Sequence, residues 1–572
     1  MFLNQIDKKN LLKLLLNFSV LLKSLVMFLK QQCSGMVFMA LLVSFWWVGV
    51  DSFPFWKDAL SGILFTKNGL LFLVSGGTCL VLWHTSLLLI MSGFLPAKVL
   101  KVLVVFLSVV GGAGLAFSSL YGTLMTPEMI RNVLETDYQE TKDLLSLTLL
   151  VILFLGALPP IILVWRYKSE HISVTGRIKR LGVAIACLVI GGVFLITDYN
   201  GLAFYMREHH EARYLITPSN IVASFTRIIS REGKTRTDGK RIVVDPNPVL
   251  SEDIIKGKPL LIAVVIGETT RATSWGLSGY SRDTNLFLRK TDIFNFSDVT
   301  SCGTSTAVSL PCMFSRIGRS NYDRELILSE EFLPDVINRL PVNQVWIDNQ
   351  SGSKGVSQNI KTLVAEDLLS DREKANLCRN GNCYDEVFPA ILNSHDFVSE
   401  GENIVYLHMI GSHGPAYHLR YPETFEKWGP TCKSKDLRSC DLKELRNAYD
   451  NSVSYTDKVL ADIINRLSGM TNVDTALIYV SDHGESLGEK GFYLHGAPEL
   501  FSPDEQKKVP MVMWFSEGFK SRFKLDTVCL ENKTNFSWSH DNLWSTLLGL
   551  FRIKSQTYEQ DKDILQGCME EF

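Results

Sequence analysis

Acid and imidazole groups recur in this sequence at the ends of short β-rich runs. LLIAVVIGE (260–268) ends on Glu268, and TALIYVSDHGE (475–485) runs into Asp482 and His483. IVYLHMIGSHG (404–414) carries His408 and His413, and His495 follows further on. Oxygen and imidazole ligands suit zinc, which takes four-coordinate sites and keeps a position open where it does chemistry. A lone Asp-His pair says little, because a core histidine satisfied by a carboxylate is common; repetition at several strand ends is what marks a metal site. A nucleophile is offered by SCGTSTAVSLPCMFS (301–315), where Thr304, Ser305 and Thr306 stand just before a helix start. A hydroxyl needs activation, which a metal supplies, and a helix N-terminus favours nearby anionic charge. The same residue types cap helices far more often than they catalyse, and spacing does not choose among the three.

Something must hold these groups together. After residue 258, strand-like runs alternate with helical stretches, and VNQVWIDNQ (342–350) adds a fourth strand. That alternation predicts an α/β sheet, whose ligands bind outside the carboxyl ends of the strands. Before residue 200 the sequence is of another kind. The chain has 572 residues, enough for two or three domains, and is 46% hydrophobic with the excess concentrated in this first part. Five stretches have the roughly 20 apolar residues that span a bilayer: 35–55, 69–93, 99–121, 145–166 and 181–198. The stretch 11–29 is broken by lysines and reads as an interfacial helix rather than a span or a cleaved leader. A net charge of -2 gives no reason to expect a nucleic-acid partner.

Basic residues cluster in alternate short loops: Lys8, Lys9, Lys13, Lys23 and Lys30, then Lys98 and Lys101, then Arg166, Lys168, Arg177, Lys179 and Arg180. With five spans all three clusters lie on one side, which places the N-terminus inside and everything after about 199 outside. The cysteines agree. Cys33, Cys79 and Cys187 lie in apolar stretches, whereas eight others belong to the polar half, in short-spaced pairs that suit disulfides and an oxidising compartment. The expected pairs are Cys302–Cys312, Cys378–Cys383 and Cys432–Cys440, with Cys529 and Cys568 left over; no Cys-x-x-Cys suggests a zinc knuckle instead.

Between the third and fourth spans, Pro127 suits a helix start, after which Asn132, Thr136 and Glu140 recur at i, i+4 and i+8. Spacing alone reads that stripe as a solvated helix face. The expected organisation is residues 1–198 as the interfacial helix and membrane domain, 199–258 as a connector with an amphipathic helix, and 259–572 as the outer catalytic domain.

At IGETTRA (266–272), SCGTSTAVSLPCMFS (301–315), NQSGSKG (349–355), HMIGSHGPAY (408–417), SDHGESLGE (481–489), LHGAP (494–498) and SHDNL (539–543) the sequence resembles the lipid A phosphoethanolamine transferases. That family includes the mobile colistin-resistance enzymes and belongs to the alkaline-phosphatase-like superfamily. The resemblance implies a five-span helical membrane domain followed by a sulfatase-like α/β/α domain. It places Glu268, Thr306, Asp482 and His483 on the primary zinc ligands and makes Thr306 the nucleophile. It puts His413 and His495 on a second zinc or the substrate phosphate, and Lys354, Gln350, His408, Asn132, Thr136 and Glu140 near the headgroup. Gln350 stands where some relatives have asparagine.

The activity so implied is transfer of phosphoethanolamine from phosphatidylethanolamine to lipid A of lipopolysaccharide through a phosphothreonine. The expected enzyme is a monomer of the bacterial inner membrane with its catalytic domain in the periplasm, holding one zinc tightly and conferring resistance to polymyxin and other cationic peptides. The same residues would serve Kdo, core heptose or another envelope glycan as acceptor. A phosphoglycerol transferase fits the motif wording poorly, and a sulfatase would need C/S-x-P-x-R where Cys302 is followed by GTST. A catalytically idle membrane sensor would have no need of the full set of ligand-type residues.

Overall fold

The computed structural model describes residues 35–61, 67–136, 141–142, 144–167, 173–235, 241–251, 257–379, 382–434, 437 and 440–570. The interfacial stretch 11–29, Cys33 and Glu140 lie outside these residues. The chain forms two compact units, one of residues 1–119 and 147–223, the other of residues 120–146 and 224–572. This differs from the boundaries expected above: 120–146, grouped there with the membrane domain, belongs to the second unit, and the connector is divided. The reason lies in specific contacts. Ser224 Oγ donates to the Met125 carbonyl at 2.8 Å, and Ser305 Oγ to Asn132 Oδ1 at 3.4 Å.

In the first unit, four described helices are long and apolar enough to cross a bilayer: Gly69–Phe94, Ala97–Tyr121, Leu147–Arg166 and Val174–Thr197. Gly35–Asp51 with Phe53–Ala59 makes a fifth if the bent pair, at 57°, counts as one span. The bend follows a π-helical turn at Trp47–Asp51, with Pro54 in the first turn of the next helix, where its missing N–H is tolerated. The last span begins earlier than expected, because the Ser173 side chain caps Val174–Thr197 by accepting from Gly176 N at 3.1 Å. Arg177, Lys179 and Arg180 therefore sit in the first turns of that helix rather than in a loop. Leu155, Leu158, Ile185, Val189 and Ile196 are exposed, as lipid-facing residues are.

In the second unit an eight-stranded sheet organises everything else. Its strands are β1 (Leu260–Gly267), β2 (Phe294–Thr300), β3 (Val342–Asp348), β4 (Lys361–Val364), β5 (Glu402–His408), β6 (Asp474–Ser481), β7 (Lys508–Phe515) and β8 (Ser537–Ser539). Their order is β8-β2-β7-β6-β1-β5-β3-β4. All run parallel except β7, which is antiparallel to both β2 and β6. β1, β5 and β6 are buried along their whole length, which is why they read as continuous apolar runs instead of alternating ones. The register sets Ile266 beside both His408 and Val480, and His408 beside Asp348. Four neighbouring strands thus end at one level, about 4.8 Å apart: β3 and β5 finish on Asp348 and His408, and Glu268 and Asp482 are the residues after β1 and β6.

Two helices of this unit matter below: α1 (Pro127–Glu135) and α2 (Thr306–Met313). Disulfides join Cys302 to Cys312, Cys378 to Cys383, Cys432 to Cys440 and Cys529 to Cys568.

Candidate metal centre and nucleophile

Glu268 follows β1, and Asp482 and His483 follow β6; all three are completely buried. Thr306 is the first residue of α2. The three hydroxyls that spacing left equivalent have different partners. Thr304 Oγ1 donates to the Ala497 carbonyl at 2.6 Å, and Ser305 turns to Asn132. Thr306 Oγ1 lies 3.0 Å from Glu268 Oε2, 3.3 Å from Oε1 and 3.2 Å from His483 Nε2. His483 Nε2 is in turn 3.3 Å from Glu268 Oε1 and 3.4 Å from Asp482 Oδ2. Donors about 2.0–2.1 Å from a tetrahedral ion stand roughly 3.3 Å from one another, so these separations are those of a zinc-sized ligand set. Asp482 Oδ2 is buried with no hydrogen-bond partner among the described residues, a cost that a bound cation removes. The residues present fit a divalent metal.

The candidate ligands are oriented from behind. His483 Nδ1 donates to the Gly484 carbonyl at 2.8 Å, which leaves Nε2 for the centre. Asp482 Oδ1 accepts from the backbone N–H of His483 at 2.7 Å and of Thr269 at 3.2 Å. Gln350 Nε2 donates to Glu268 Oε2 at 2.8 Å, so the glutamine is a partner of a candidate ligand carboxylate. Ser309 Oγ donates to the Asp482 carbonyl at 2.5 Å and ties α2 to the turn after β6. Burial opposes charge on both His483 and Glu268. The Asp482 and Glu268 carboxylates nonetheless push His483 up to about 10, and the imidazolium holds Glu268 well below the usual carboxylate range. Burial, with the Glu268 charge, raises Asp482 to about 6.

A pocket opens over Thr306. Asn132, Thr136, Gln350, Lys354, His413 and His495 all line it. His413 is carried by a loop pinned to the sheet: Ser412 N donates to the Glu268 carbonyl at 3.0 Å, and Asp385 accepts from Ile410 N and Gly411 N at 2.9 and 2.8 Å. Gly411 takes φ +52°, and a Cβ there would run into the Glu268 backbone. Burial lowers His413 to about 3, so its ring is neutral at physiological pH. His495 differs: burial works against its charge, but Glu485 at 2.9 Å from Nδ1 outweighs it and raises the imidazole. Lys354 Nζ donates to Ser351 Oγ at 2.9 Å.

Two expectations change. The polar stripe does not run down one helix: α1 ends at Glu135, and Thr136 is already extended (φ -63°, ψ 130°), its hydroxyl bonded back to the Asn132 carbonyl at 2.7 Å. That back-bond competes with helix continuation. His408, expected at the headgroup, does not line the pocket. It is fully buried, its Nδ1 is 2.7 Å from Asp348 Oδ1, and Nε2 has no hydrogen-bond partner among the described residues. Glu485 and His540 were not singled out from sequence. Glu485 also accepts from Tyr417 Oη at 2.5 Å, and His540 Nδ1 accepts from Cys302 N at 3.1 Å while Nε2 bonds the Ser481 carbonyl at 3.0 Å. Both lie inside quoted motifs, SDHGESLGE and SHDNL, which was the available signal.

A buried carboxylate–imidazole cluster at the strand ends of a mostly parallel sheet, with a hydroxyl beside it on a helix N-terminus, is an arrangement suited to a phosphoryl- or sulfuryl-transfer enzyme. The sulfatase family model matches residues 261–553, and the model described as phosphoethanolamine transferase EptA/EptB matches residues 83–232. The chain is 34% identical to phosphoethanolamine transferase EptA of Salmonella typhimurium, over 95% of this chain and 98% of that one. It is 36% identical to phosphatidylethanolamine transferase Mcr-1 of Escherichia coli, over 80% of this chain and 84% of that one. The integral membrane lipooligosaccharide phosphoethanolamine transferase A (EptA) from Neisseria meningitidis superposes with a TM-score of 0.86 at 32% identity, covering 93% and 98% of the two chains. The chain belongs to the phosphoethanolamine transferases and is an integral membrane enzyme of that family.

Proposed function

We propose that this enzyme moves phosphoethanolamine from phosphatidylethanolamine to lipid A, using Thr306 as a covalent way station. The observation that carries the reading is the placement of Thr306 Oγ1 within 3.0–3.3 Å of Glu268 and His483. Glu268, Asp482, His483 and Thr306 would hold zinc, which when bound supplies positive charge to the hydroxyl oxygen and to the phosphoryl oxygens. His413 and His495 would contact the substrate phosphate or a second zinc.

The residues divide the work. The Thr306 hydroxyl proton is directed at Glu268, which leaves Oγ1 free to attack the donor phosphorus. The Oγ–P bond forms as the bond to the glyceryl oxygen breaks; that oxygen leaves with the electron pair as diacylglycerol and takes a proton from the His495 imidazolium. In the second half an acceptor phosphate oxygen attacks the same phosphorus and Thr306 Oγ1 is released. Where the acceptor is a sugar hydroxyl instead, neutral His413 is placed to take its proton. Asn132, Thr136, Gln350 and Lys354 fix the ethanolamine phosphate over the threonine.

Alternating basic clusters and paired cysteines support a protein of the bacterial inner membrane, N-terminus in the cytoplasm and catalytic domain in the periplasm. Adding a cationic amine to lipid A lowers the negative surface charge, and resistance to polymyxin-type peptides follows. Mass spectrometry of lipopolysaccharide from cells expressing the wild-type chain or Thr306→Ala tests this. A phosphoethanolamine increment on lipid A, absent in the variant, is expected. Persistence in the variant would overturn the nucleophile, and an increment on Kdo or core heptose alone would move the acceptor.

A further inference from the structure

At one end of the membrane unit the spans Ala97–Tyr121 and Val174–Thr197 begin and the span Leu147–Arg166 finishes. A notch opens there, lined by buried Met36, Leu100 and Val104 and by the half-buried polar groups of Lys101, Tyr167 and Arg180. It is narrow, about 20 Å³, so it admits the oxygens of a ligand headgroup and not a whole molecule.

Its polar groups are tied together. Lys101 Nζ donates to the Tyr167 carbonyl at 2.6 Å, one of the carbonyls that a helix end leaves over, and keeps two further N–H groups. Arg180 Nη2 donates to Tyr167 Oη at 3.4 Å, a long bond that is the side chain's one contact among the described residues. A guanidinium fork beside an ammonium suits the oxygens of a phosphate. The surroundings carry the same sign. Lys98, Arg166, Arg177 and Lys179 are exposed at this end, and residues 35–39, 92–101, 163–167 and 173–180 include no Asp or Glu. Two helix N-termini add their positive ends.

The rest of the chain near this end does not supply the missing negative charge. Residues 1–34 join at Gly35, where a Cβ would stand 3.4 Å from the Tyr167 ring, and they carry five lysines and one aspartate. Residues 168–172 bring Lys168 and Glu170, which cancel. The counter-charge must come from outside the chain.

We propose that this notch binds an anionic phospholipid, its phosphate oxygens on Arg180 and Lys101 and its chains in the bilayer alongside. Basic pockets between spans are where anionic headgroups dock. A zwitterionic headgroup would bring its ammonium into the same field of cations, so the site discriminates against phosphatidylethanolamine. Free phosphate could make the same contacts, but a lipid is held at the mouth by the bilayer and so has the higher effective concentration. The inference rests on the orientation proposed above only for the leaflet, which is then the cytoplasmic one.

The test is native mass spectrometry of the full chain in detergent with added phosphatidylglycerol or phosphatidylethanolamine. Arg180→Gln should weaken phosphatidylglycerol by about tenfold, the loss of one charge-assisted contact, and leave phosphatidylethanolamine unchanged, with Arg180→Lys recovering part. In wild type neither excess phosphatidylethanolamine nor millimolar inorganic phosphate should displace phosphatidylglycerol. An unmoved phosphatidylglycerol affinity, equal losses for both lipids, or displacement by either competitor would overturn the proposal. The wild-type competition decides the matter if Arg180→Gln does not fold. Photoreactive benzoylphenylalanine in place of Leu95, which also lines the notch, should capture phosphatidylglycerol; capture of a peptide from residues 1–34 instead would overturn the lipid as occupant. Protection of the second unit from protease in spheroplasts would refute the orientation alone, since binding in detergent does not depend on it.

Discussion

The floor and the rim of the pocket over Thr306 are built by different means. Glu268, Asp482 and His483 stand at the ends of β1 and β6, fully buried, with positions set by a sheet whose register leaves no slack. Asn132, Thr136 and Lys354 come from a nine-residue helix, its extended exit and a loop where Lys354 itself takes φ +50°. Rigid strand ends suit groups that must hold an ion to within a few tenths of an ångström. Loops and short helices suit groups that choose what is bound. The chemistry should therefore fail on the floor, and affinity on the rim.

The largest effect is expected from Asp482→Asn. It removes a ligand charge next to Glu268 and His483, so metal content and transfer should both fall, metal affinity by ~100-fold or more. Metal analysis of the purified variant checks this, and full metal occupancy would contradict it. The floor also has a pH signature. A histidine raised to about 10 keeps its proton at neutral pH until a cation displaces it. Metal uptake by wild type should release about one proton, and apparent affinity should climb as pH rises toward 10. Calorimetry in buffers of different ionisation enthalpy reads this directly; an enthalpy independent of buffer would refute it.

At the rim, Lys354→Ala should leave metal content intact and raise the donor KM by ~10-fold, the worth of one charge-assisted contact. Loss of metal in that variant would erase the distinction between floor and rim.

The same division explains what the sequence disclosed. Continuous apolar runs ending in Glu268, Asp482, His483 and His408 are local patterns, and strand order needed only a parallel sheet to bring them together. The choice among Thr304, Ser305 and Thr306 was not local: it depends on Ala497, Asn132 and Glu268, which are 193, 173 and 38 residues away respectively. Glu485 behind His495 and His540 behind Cys302 were hidden for the same reason, since each acts through a partner that only tertiary packing supplies. The end of α1 at Glu135 was missed because periodicity cannot see a threonine hydroxyl bonding back to the chain. His408, which the resemblance put near the headgroup, is held by Asp348 and does not line the pocket, a pairing across two strands that no local pattern shows.

The central claim is that Thr306 carries the phosphoethanolamine between the two lipids. Purified full-length enzyme, incubated with phosphatidylethanolamine and no acceptor, then quenched and digested, gives the most direct reading. Tandem mass spectrometry should find one phosphoethanolamine group on Thr306 of the 301–315 segment, lost on chase with lipid A. An unmodified Thr306 beside released diacylglycerol, or the group on Thr304 or Ser305, would contradict it.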